Sequence, residues 1–161
     1  MSALSRFLSR MAIWVSVAGL VAMTAIICWQ VFARYVLGNA PAWAEQASLF
    51  LMLCFILFAA AAGVREGFHI RITILQESVS ESRAKLLAVI CHVVVLLFGA
   101  FMAVCGFELV AETWQHDIPT LGISRGTSYL PLGGAGLLIV FFSVEQILAL
   151  RRGEEVGSAW R

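Results

Sequence analysis

The apolar stretch MAIWVSVAGLVAMTAIICWQVFA, residues 11–33, decides the fold class because it contains no charged residue. A helix needs about 20 apolar residues to cross the hydrocarbon core of a bilayer, and this stretch is long enough. Arg6 and Arg10 precede it, but the apolar part of a secretory signal spans only about 7–15 residues. We therefore expect a transmembrane anchor that stays in place. The stretch also lacks the alternation typical of membrane-barrel strands.

Three more apolar runs of similar length follow, at roughly 43–64, 86–107 and 129–150. The whole chain of 161 residues is 61% hydrophobic and 13% charged, whereas a soluble domain carries about 25% charged residues. The composition and the runs predict an all-α integral membrane protein. We expect four transmembrane helices in a single membrane domain, residues 1–161.

Basic residues are distributed unequally between the two predicted sides of the membrane. Nine of the 11 arginines and lysines fall in the N-terminal tail, the segment between spans two and three, and the C-terminal tail. Only Arg34 and Arg125 fall on the other side. Since basic residues favour the cytoplasm, both termini are predicted to be cytoplasmic and the loop around 116–131 lies outside. The net charge of +1 gives no basic footprint for nucleic acid.

The longest cytoplasmic piece, VREGFHIRITILQESVSESRAK at 64–85, mixes apolar and charged residues. This mixture is typical of a short helix that lies along the membrane interface. An ordinary surface turn that leads into span three fits the pattern equally well. Both interpretations stay open at this point.

Five charged residues fall at the outer ends of the spans, where charge near hydrocarbon needs a partner or water. They are Arg34, Glu45, Glu108, Glu112 and Arg125. Glu108 and Glu112 are four residues apart and share one helix face, which favours a nearby cation. One interpretation is an ion or substrate site. We favour a salt-bridged latch that fixes the helix ends, because such pairs are within reach of water.

Two further polar sites lie toward the cytoplasmic side. His92 in span three and Glu145 in span four have similar predicted depths, so a hydrogen bond between them is geometrically allowed. The pair is either a proton relay or, as we favour, a buried polar clip. Arg65 and His69 follow span two, where the helix macrodipole favours cations and lipid phosphates attract them.

Small residues recur inside the spans, from Ala59 to Gly63, from Gly99 to Ala103, and at Gly133, Gly134 and Gly136. Such residues let membrane helices approach closely. The contact is made either within this chain or with another membrane protein, and the sequence does not separate the two.

We expect no catalytic constellation in this chain: neither the GxSxG turn of hydrolases, nor the HExxH motif of metalloproteases, nor a phosphate-binding loop. Its four cysteines form no CxxC pair, so we expect neither a metal site nor a redox motif. A haem anchor needs two facing histidines, and only His92 is predicted well inside a span. We favour a non-enzymatic accessory subunit without a cofactor. The alternative is an independent four-helix membrane protein, either a redox or haem anchor or an ion-coupled carrier.

Three segments together resemble the small, Q-type (DctQ-like) membrane subunit of tripartite ATP-independent periplasmic (TRAP) transporters. They are VFARYVLGNAPAWAEQASLFL (31–51), AAAAGVREGFHIRI (59–72) and IPTLGISRGTSYLPLGGAGLL (118–138). The positions that match the family pattern are Arg34, Trp43, Glu45, Arg65, His69, Pro119 and Leu121. The family usually has two consecutive acids after the tryptophan, whereas here Trp43 is followed by Ala44, Glu45 and Gln46.

The resemblance implies a role in uptake of organic acid anions (carboxylates) driven by a sodium gradient. In such systems a periplasmic binding protein captures the substrate and a large M-type membrane subunit carries it. The small subunit packs against the scaffold of the large one and stiffens it. The resemblance therefore implies a multi-pass protein of the bacterial inner membrane, in contact with lipids, with the sodium bound in the large subunit.

The outer loop HDIPTLGISRGTSYLP, residues 116–131, is the polar exception in this apolar chain. Pro119 and Gly122, which flank Thr120 and Leu121, predict a fixed turn. With Arg125, these residues are expected to shape the docking surface for the binding protein or to brace the outer edge of the large subunit.

Overall fold

A computed structural model describes residues 3–39, 41–66 and 81–151, with side chains for 4–39, 41–66 and 86–150. The elements in chain order are α1 (Ala3–Tyr35), α2 (Ala42–Glu66), α3 (Glu81–Thr113), β1 (Asp117–Ile118), β2 (Ile123–Ser124), a 3-10 helix (Arg125–Tyr129) and α4 (Leu130–Arg151). Within the described residues, these four α-helices are long and apolar enough to cross a membrane. The all-α, four-helix membrane fold is thus confirmed. The proposed interfacial segment between spans two and three falls on 67–80, outside the described residues.

The helices are longer than two of the predicted spans. α1 and α3 contain 33 residues each, or about 50 Å of helix, against a hydrocarbon core of about 30 Å. The helices therefore extend beyond the predicted spans 11–33 and 86–107, to 3–35 and 81–113, while the parts that lie in lipid stay a prediction. The additional turns are polar, and they stay helical because arginine, leucine and glutamate are good helix formers in water as well as in lipid. α2 and α4 agree with the predicted spans to within two residues.

The helices are arranged in the order α1–α2–α4–α3. Extensive contacts join α1 to α2, α2 to α4, and α4 to α3. α4 lies inside this row and is the most buried: 44% of its most apolar window is buried, against 11% for α3. As a consequence, α1 and α3 lie at the two edges, and each has a broad apolar face that this chain does not cover.

Glycines set the close contact between α3 and α4. A Cβ atom at Gly106 would lie 2.6 Å from the backbone nitrogen of Gly133, and one at Gly136 would lie 2.5 Å from that of Ala103. A Cβ atom at Gly99 would lie 2.6 Å from Cγ2 of Ile139. The small residues of these two helices therefore pack against each other. The sequence had left open whether they contact this chain or another membrane protein, and for α3 and α4 the contact is within this chain.

The buried core lies where α2 meets α4. Its buried members are Ala61 and Val64 of α2 and Ala135, Ile139 and Phe142 of α4. The phenyl ring of Phe142 has no exposed surface, and it fills the space that the alanines leave. This core fixes the position of the last turns of α2 relative to α4, which is where the main polar cluster forms.

A tight turn joins α1 to α2. Gly38 has a φ of 68°, and the N–H of Asn39 donates to the carbonyl oxygen of Ala33 at 3.2 Å. Glycine is favoured at position 38 because the left-handed conformation is strained for other residues. The turn brings α2 back antiparallel beside α1.

Candidate functional site

The main polar cluster lies at the cytoplasmic end of the helices and is centred on Arg65. The guanidinium Nε donates to Ser5 Oγ at 2.7 Å, and Nη1 donates to Glu66 Oε1 at 2.7 Å. Ser9 Oγ donates to the same Glu66 oxygen at 3.0 Å. Arg65 is only 7% exposed. A buried guanidinium is costly unless it is paired and hydrogen-bonded. Ser5 and Glu66 provide those contacts, and Ser9 in turn donates to Glu66.

α4 contributes to the same cluster through Gln146, which is 1% exposed. Its Nε2 donates to the carbonyl oxygen of Arg65 at 2.9 Å. The last four carbonyls of a helix have no partner within the helix, so this side chain caps the end of α2. We refer to Ser5, Ser9, Arg65, Glu66 and Gln146 as the cytoplasmic cluster, which connects α1, α2 and α4.

The sequence placed a functional cation at Arg65 but assigned it to the macrodipole and to lipid phosphates. The structure corrects the second assignment, because the guanidinium is buried against Ser5 and Glu66. Ser5, Ser9 and Gln146 were not predicted. One available signal was the spacing of Ser5, Ser9 and Ser16, which places three buried hydroxyls on one face of α1. His69 lies outside the described residues.

The five charged residues at the periplasmic end are exposed: Arg34, Glu45, Glu108, Glu112 and Arg125. Among the described side chains, none of the five takes part in an ion pair. The favoured salt-bridged latch is therefore not formed among the residues that the structure describes. The physical reason is that an exposed ion pair gains only about 0–1 kcal/mol and costs side-chain entropy. Trp43 lies beside this rim and is 40% exposed.

The periplasmic loop is an ordered β-hairpin. Asp117 pairs with Ser124 and Ile118 pairs with Ile123, so Pro119, Thr120, Leu121 and Gly122 form the turn. The N–H of Gly122 donates to the carbonyl oxygen of Ile118 at 2.9 Å, and Gly122 has a φ of 65°. Ile118 is buried whereas Pro119 and Thr120 are exposed. The hairpin therefore presents its turn outward from an apolar anchor.

The loop rests directly on the end of α3. The N–H of Arg125 donates to the carbonyl oxygen of His116 at 2.7 Å. A Cβ atom at Gly126 would lie 2.8 Å from the carbonyl oxygen of Val110, so the 3-10 helix packs tightly on α3. This packing holds the side chain of Arg125, which is exposed, at the outer rim.

Residues 122–126, GISRG, have the G-x-S-x-G spacing of a hydrolase nucleophile turn. Ser124 Oγ donates to the carbonyl oxygen of Trp114 at 2.7 Å and accepts from the N–H of Gly126 at 3.1 Å. The hydroxyl caps the 3-10 helix and, within the described residues, forms no hydrogen bond with a histidine or carboxylate side chain. The motif is a structural cap, and the expectation that the chain lacks a GxSxG motif is wrong.

His92 and Glu145 are both half-buried. His92 is one heptad before Gly99, which faces Ile139 on α4. Glu145 is eleven residues after Gly134, which faces Phe58 on α2, so by helical register Glu145 lies on the side toward α2. The hydrogen bond expected between His92 and Glu145, whether a proton relay or a buried polar clip, stays a prediction.

Metal-binding chemistry has no obvious location in the described residues, which contain no group of three or more His, Cys, Asp or Glu side chains arranged around a metal. The cysteines there are free thiols on the helices. Buried hydrogen bonds hold one end of the bundle. The other end presents an ordered hairpin and charges that form no ion pair with the described side chains.

The fold and these two ends define a small multi-pass membrane protein with uncovered apolar edges and a structured periplasmic loop. The family model for the DctQ component of tripartite ATP-independent periplasmic transporters matches residues 23–153. The match covers most of the chain, and the protein belongs to this family.

Two curated relatives agree with the assignment. The chain is 24% identical over 138 residues to the sialic acid TRAP transporter small permease protein SiaQ of Vibrio cholerae, covering 86% of this chain and 80% of the relative. It is 22% identical over 127 residues to a Haemophilus influenzae protein provisionally named a TRAP transporter small permease protein, covering 79% and 77%. The chain is thus a small permease subunit of a TRAP transporter and a multi-pass protein of the inner membrane.

Proposed function

We propose that this subunit braces the scaffold of the large M-type membrane subunit in a sodium-coupled transporter for organic acid anions. A further part of the proposal is that its periplasmic hairpin shapes the surface where the substrate-binding protein docks. The observation that carries the proposal is the contrast between the two ends. Buried polar contacts tie the helices together at the cytoplasmic end, whereas the periplasmic charges have no partner within the described residues.

The apolar edge of α3 supports contact with a larger membrane protein. Val94, Leu97, Phe98, Phe101 and Val104 recur at helical spacing, and each is between 59% and 66% exposed. They lie on the side opposite the glycines that contact α4. Exposed phenylalanines on a helix edge offer a large area for packing against another apolar helix.

The charged rim supports an assembly role for Arg34, Glu45 and Trp43. Each is exposed, and all three are at positions that match the family pattern. A charge at the membrane border is stabilised by water or by an opposite charge on a partner. We therefore assign these residues to contact with the large subunit and not to recognition of the transported molecule.

The substrate class is proposed as carboxylates, with sodium bound by the large subunit and no cofactor in this chain. The Vibrio cholerae relative is named for sialic acid, which is itself an organic acid. A groove between α1 and α2 is lined almost entirely by apolar residues, which is not the lining that such an anion needs. This supports placing substrate recognition in the other components.

The docking role is tested by replacing Pro119–Ser124 with a Gly/Ser linker of equal length in the complete transporter. Without the hairpin turn and the Ser124 cap, the loop loses its fixed shape, so we expect uptake to fall by about tenfold or more, equivalent to about 1.4 kcal/mol of lost docking energy. The two membrane subunits should still copurify, because the linker leaves all four helices intact.

The matched control is Thr120→Ser, which keeps the exposed turn and its backbone bonds and should leave uptake unchanged. Normal uptake with the linker would contradict the docking role. Loss of copurification with the linker would instead assign the hairpin to the contact with the large subunit.

A further inference from the structure

A groove of about 200 Å³ opens between α1 and α2 in their cytoplasmic halves. α1 contributes Ile13 and Val17, and α2 contributes Ala59, Ala62 and Gly63. The two helices meet closely at Gly19, where a Cβ atom would lie 3.3 Å from Phe55 Cβ. Toward the cytoplasm the small residues of α2 do not fill the space beside α1, so an almost wholly apolar groove remains.

Two arginines lie above this groove on the same face of α1. Positions 6, 10, 13 and 17 follow the i, i+4, i+7, i+11 spacing of one helical stripe, so Arg6 and Arg10 are aligned with Ile13 and Val17. Both arginines are exposed, and within the described residues neither has an ion-pair partner. Arg10 is about 10 Å along the axis from Val17.

One carboxylate also lines the groove, and its charge is already compensated. Glu66 lies at the cytoplasmic end of the groove, where its Oε1 accepts from Arg65 and Ser9. The carboxylate therefore does not cancel the positive potential that Arg6 and Arg10 create at the mouth. The apolar groove below Arg6 and Arg10 is therefore complementary to an anionic phospholipid, whose phosphate lies above its acyl chains in the bilayer.

We propose that this groove binds an anionic phospholipid of the cytoplasmic leaflet. One acyl chain occupies the groove between Ile13, Val17 and the small residues of α2, and the headgroup phosphate is bound by Arg6 and Arg10. An apolar cavity of about 150 Å³ accepts a molecule the size of benzene, so this groove accommodates several methylenes of one acyl chain. A transmembrane helix is about 10 Å across and would lie over the groove without entering it.

The test uses the full chain, purified in detergent and incubated with equal amounts of phosphatidylglycerol and phosphatidylcholine that carry the same acyl chains. Native mass spectrometry then measures bound lipid. We expect the unmodified chain to prefer phosphatidylglycerol, and Arg6→Gln with Arg10→Gln to lower this preference by at least about fivefold, the usual effect of one basic residue at an anionic surface. Arg6→Lys with Arg10→Lys keeps both charges and should preserve it.

A second variant tests the groove itself. Ala59→Leu places a larger side chain into the groove and should reduce binding of both lipids, whereas Ala18→Leu, at an exposed α1 position outside the groove, should not. Equal binding of the two lipids, or an unchanged preference after Arg6→Gln with Arg10→Gln, overturns the proposal. Ala59→Leu that leaves lipid binding intact but abolishes copurification with the large subunit also overturns it, since the groove would then hold protein.

Discussion

Arg65 is held by residues from three helices, and each contact removes one cost of its burial. Ser5 and Glu66 accept hydrogen bonds from the guanidinium, and Gln146 satisfies the backbone carbonyl of the same residue. A buried ion pair adds little net stability compared with an apolar replacement, but removal of one partner leaves an uncompensated charge. We infer that the cytoplasmic cluster fixes how the helices are placed more than it adds to their stability.

Arg65→Met should therefore destabilise the isolated chain. The Glu66 side chain is only 10% exposed. After the substitution its carboxylate would keep the hydrogen bond from Ser9 but lose the charged partner. The expected cost is about 3 kcal/mol, or about 6–12 °C in the midpoint of thermal unfolding measured by tryptophan fluorescence in detergent.

Two variants sharpen this test. Arg34→Met removes an arginine that is exposed, so its midpoint should change little. Arg65→Met combined with Glu66→Leu removes both charges and should recover part of the loss. A midpoint for Arg65→Met that equals that of the unmodified chain would mean that the ion pair does not hold the helices.

Sequence reasoning identified Arg65 but not its partners Ser5 and Gln146, because these two are remote along the chain. Arg65 lies 60 residues from Ser5 and 81 residues from Gln146 in the sequence. Ser9, which donates to Glu66, lies 57 residues from that carboxylate. Helical spacing indicates which residues share a face of one helix, but it does not indicate which helix lies opposite. The reverse error occurred at the rim, where charged residues at the predicted helix ends suggested a salt-bridged latch, although none of the five forms an ion pair within the described residues.

Among the helices themselves, α2 and α4 were predicted closely because their polar flanks begin where the helices end. α1 and α3 extend beyond the predicted spans, since hydropathy marks the part of a helix in lipid and not the polar turns that continue it. The hairpin turn was anticipated from Pro119 and Gly122, and its strands were not. Strands of two residues each are too short to produce an alternating pattern.

The α3–α4 contact depends on glycine at defined positions, and Gly136→Ala tests it. The added Cβ atom would lie 2.5 Å from the Ala103 nitrogen and 2.8 Å from the Gly99 carbonyl oxygen. Both are backbone atoms, so the helices must separate, at a cost of about 1–3 kcal/mol. The thermal midpoint in detergent should fall accordingly, by several degrees.

Gly134→Ala is the matched control two residues away. Its Cβ atom would meet only Phe58 Cζ, at an ordinary 3.9 Å, and alanine is a better helix former by about 1 kcal/mol. The control should therefore be neutral or stabilising. If both variants behaved alike, helix propensity and not close packing would explain the glycines.

The molecule as a whole is a row of helices with two apolar edges that the chain itself does not cover. α4 is packed between α2 and α3, whereas α1 and α3 each contact mainly one neighbour. Apolar residues on those edges look alike in sequence whether lipid or protein covers them, because lipid tails and helix interfaces are both apolar. Charged residues at the membrane border are a better sign of a protein partner than apolar residues are, since a partner protein can supply the opposite charge.

The assembly role of the rim predicts that Arg34→Ala or Glu45→Ala loosens the complex without changing what it transports. Both side chains are exposed and, within the described residues, have no ion-pair partner. Loss of one interface contact worth about 1 kcal/mol lowers a binding constant about fivefold, so less large subunit should copurify at low protein concentration. Gln46→Ala, a neutral exposed neighbour, is the control and should copurify normally.

Uptake measured for several carboxylates should fall in parallel for all of them, because these residues lie in the assembly surface. A change in the order of preference among those carboxylates would show that the rim contacts the transported molecule, and the architectural role would then be wrong.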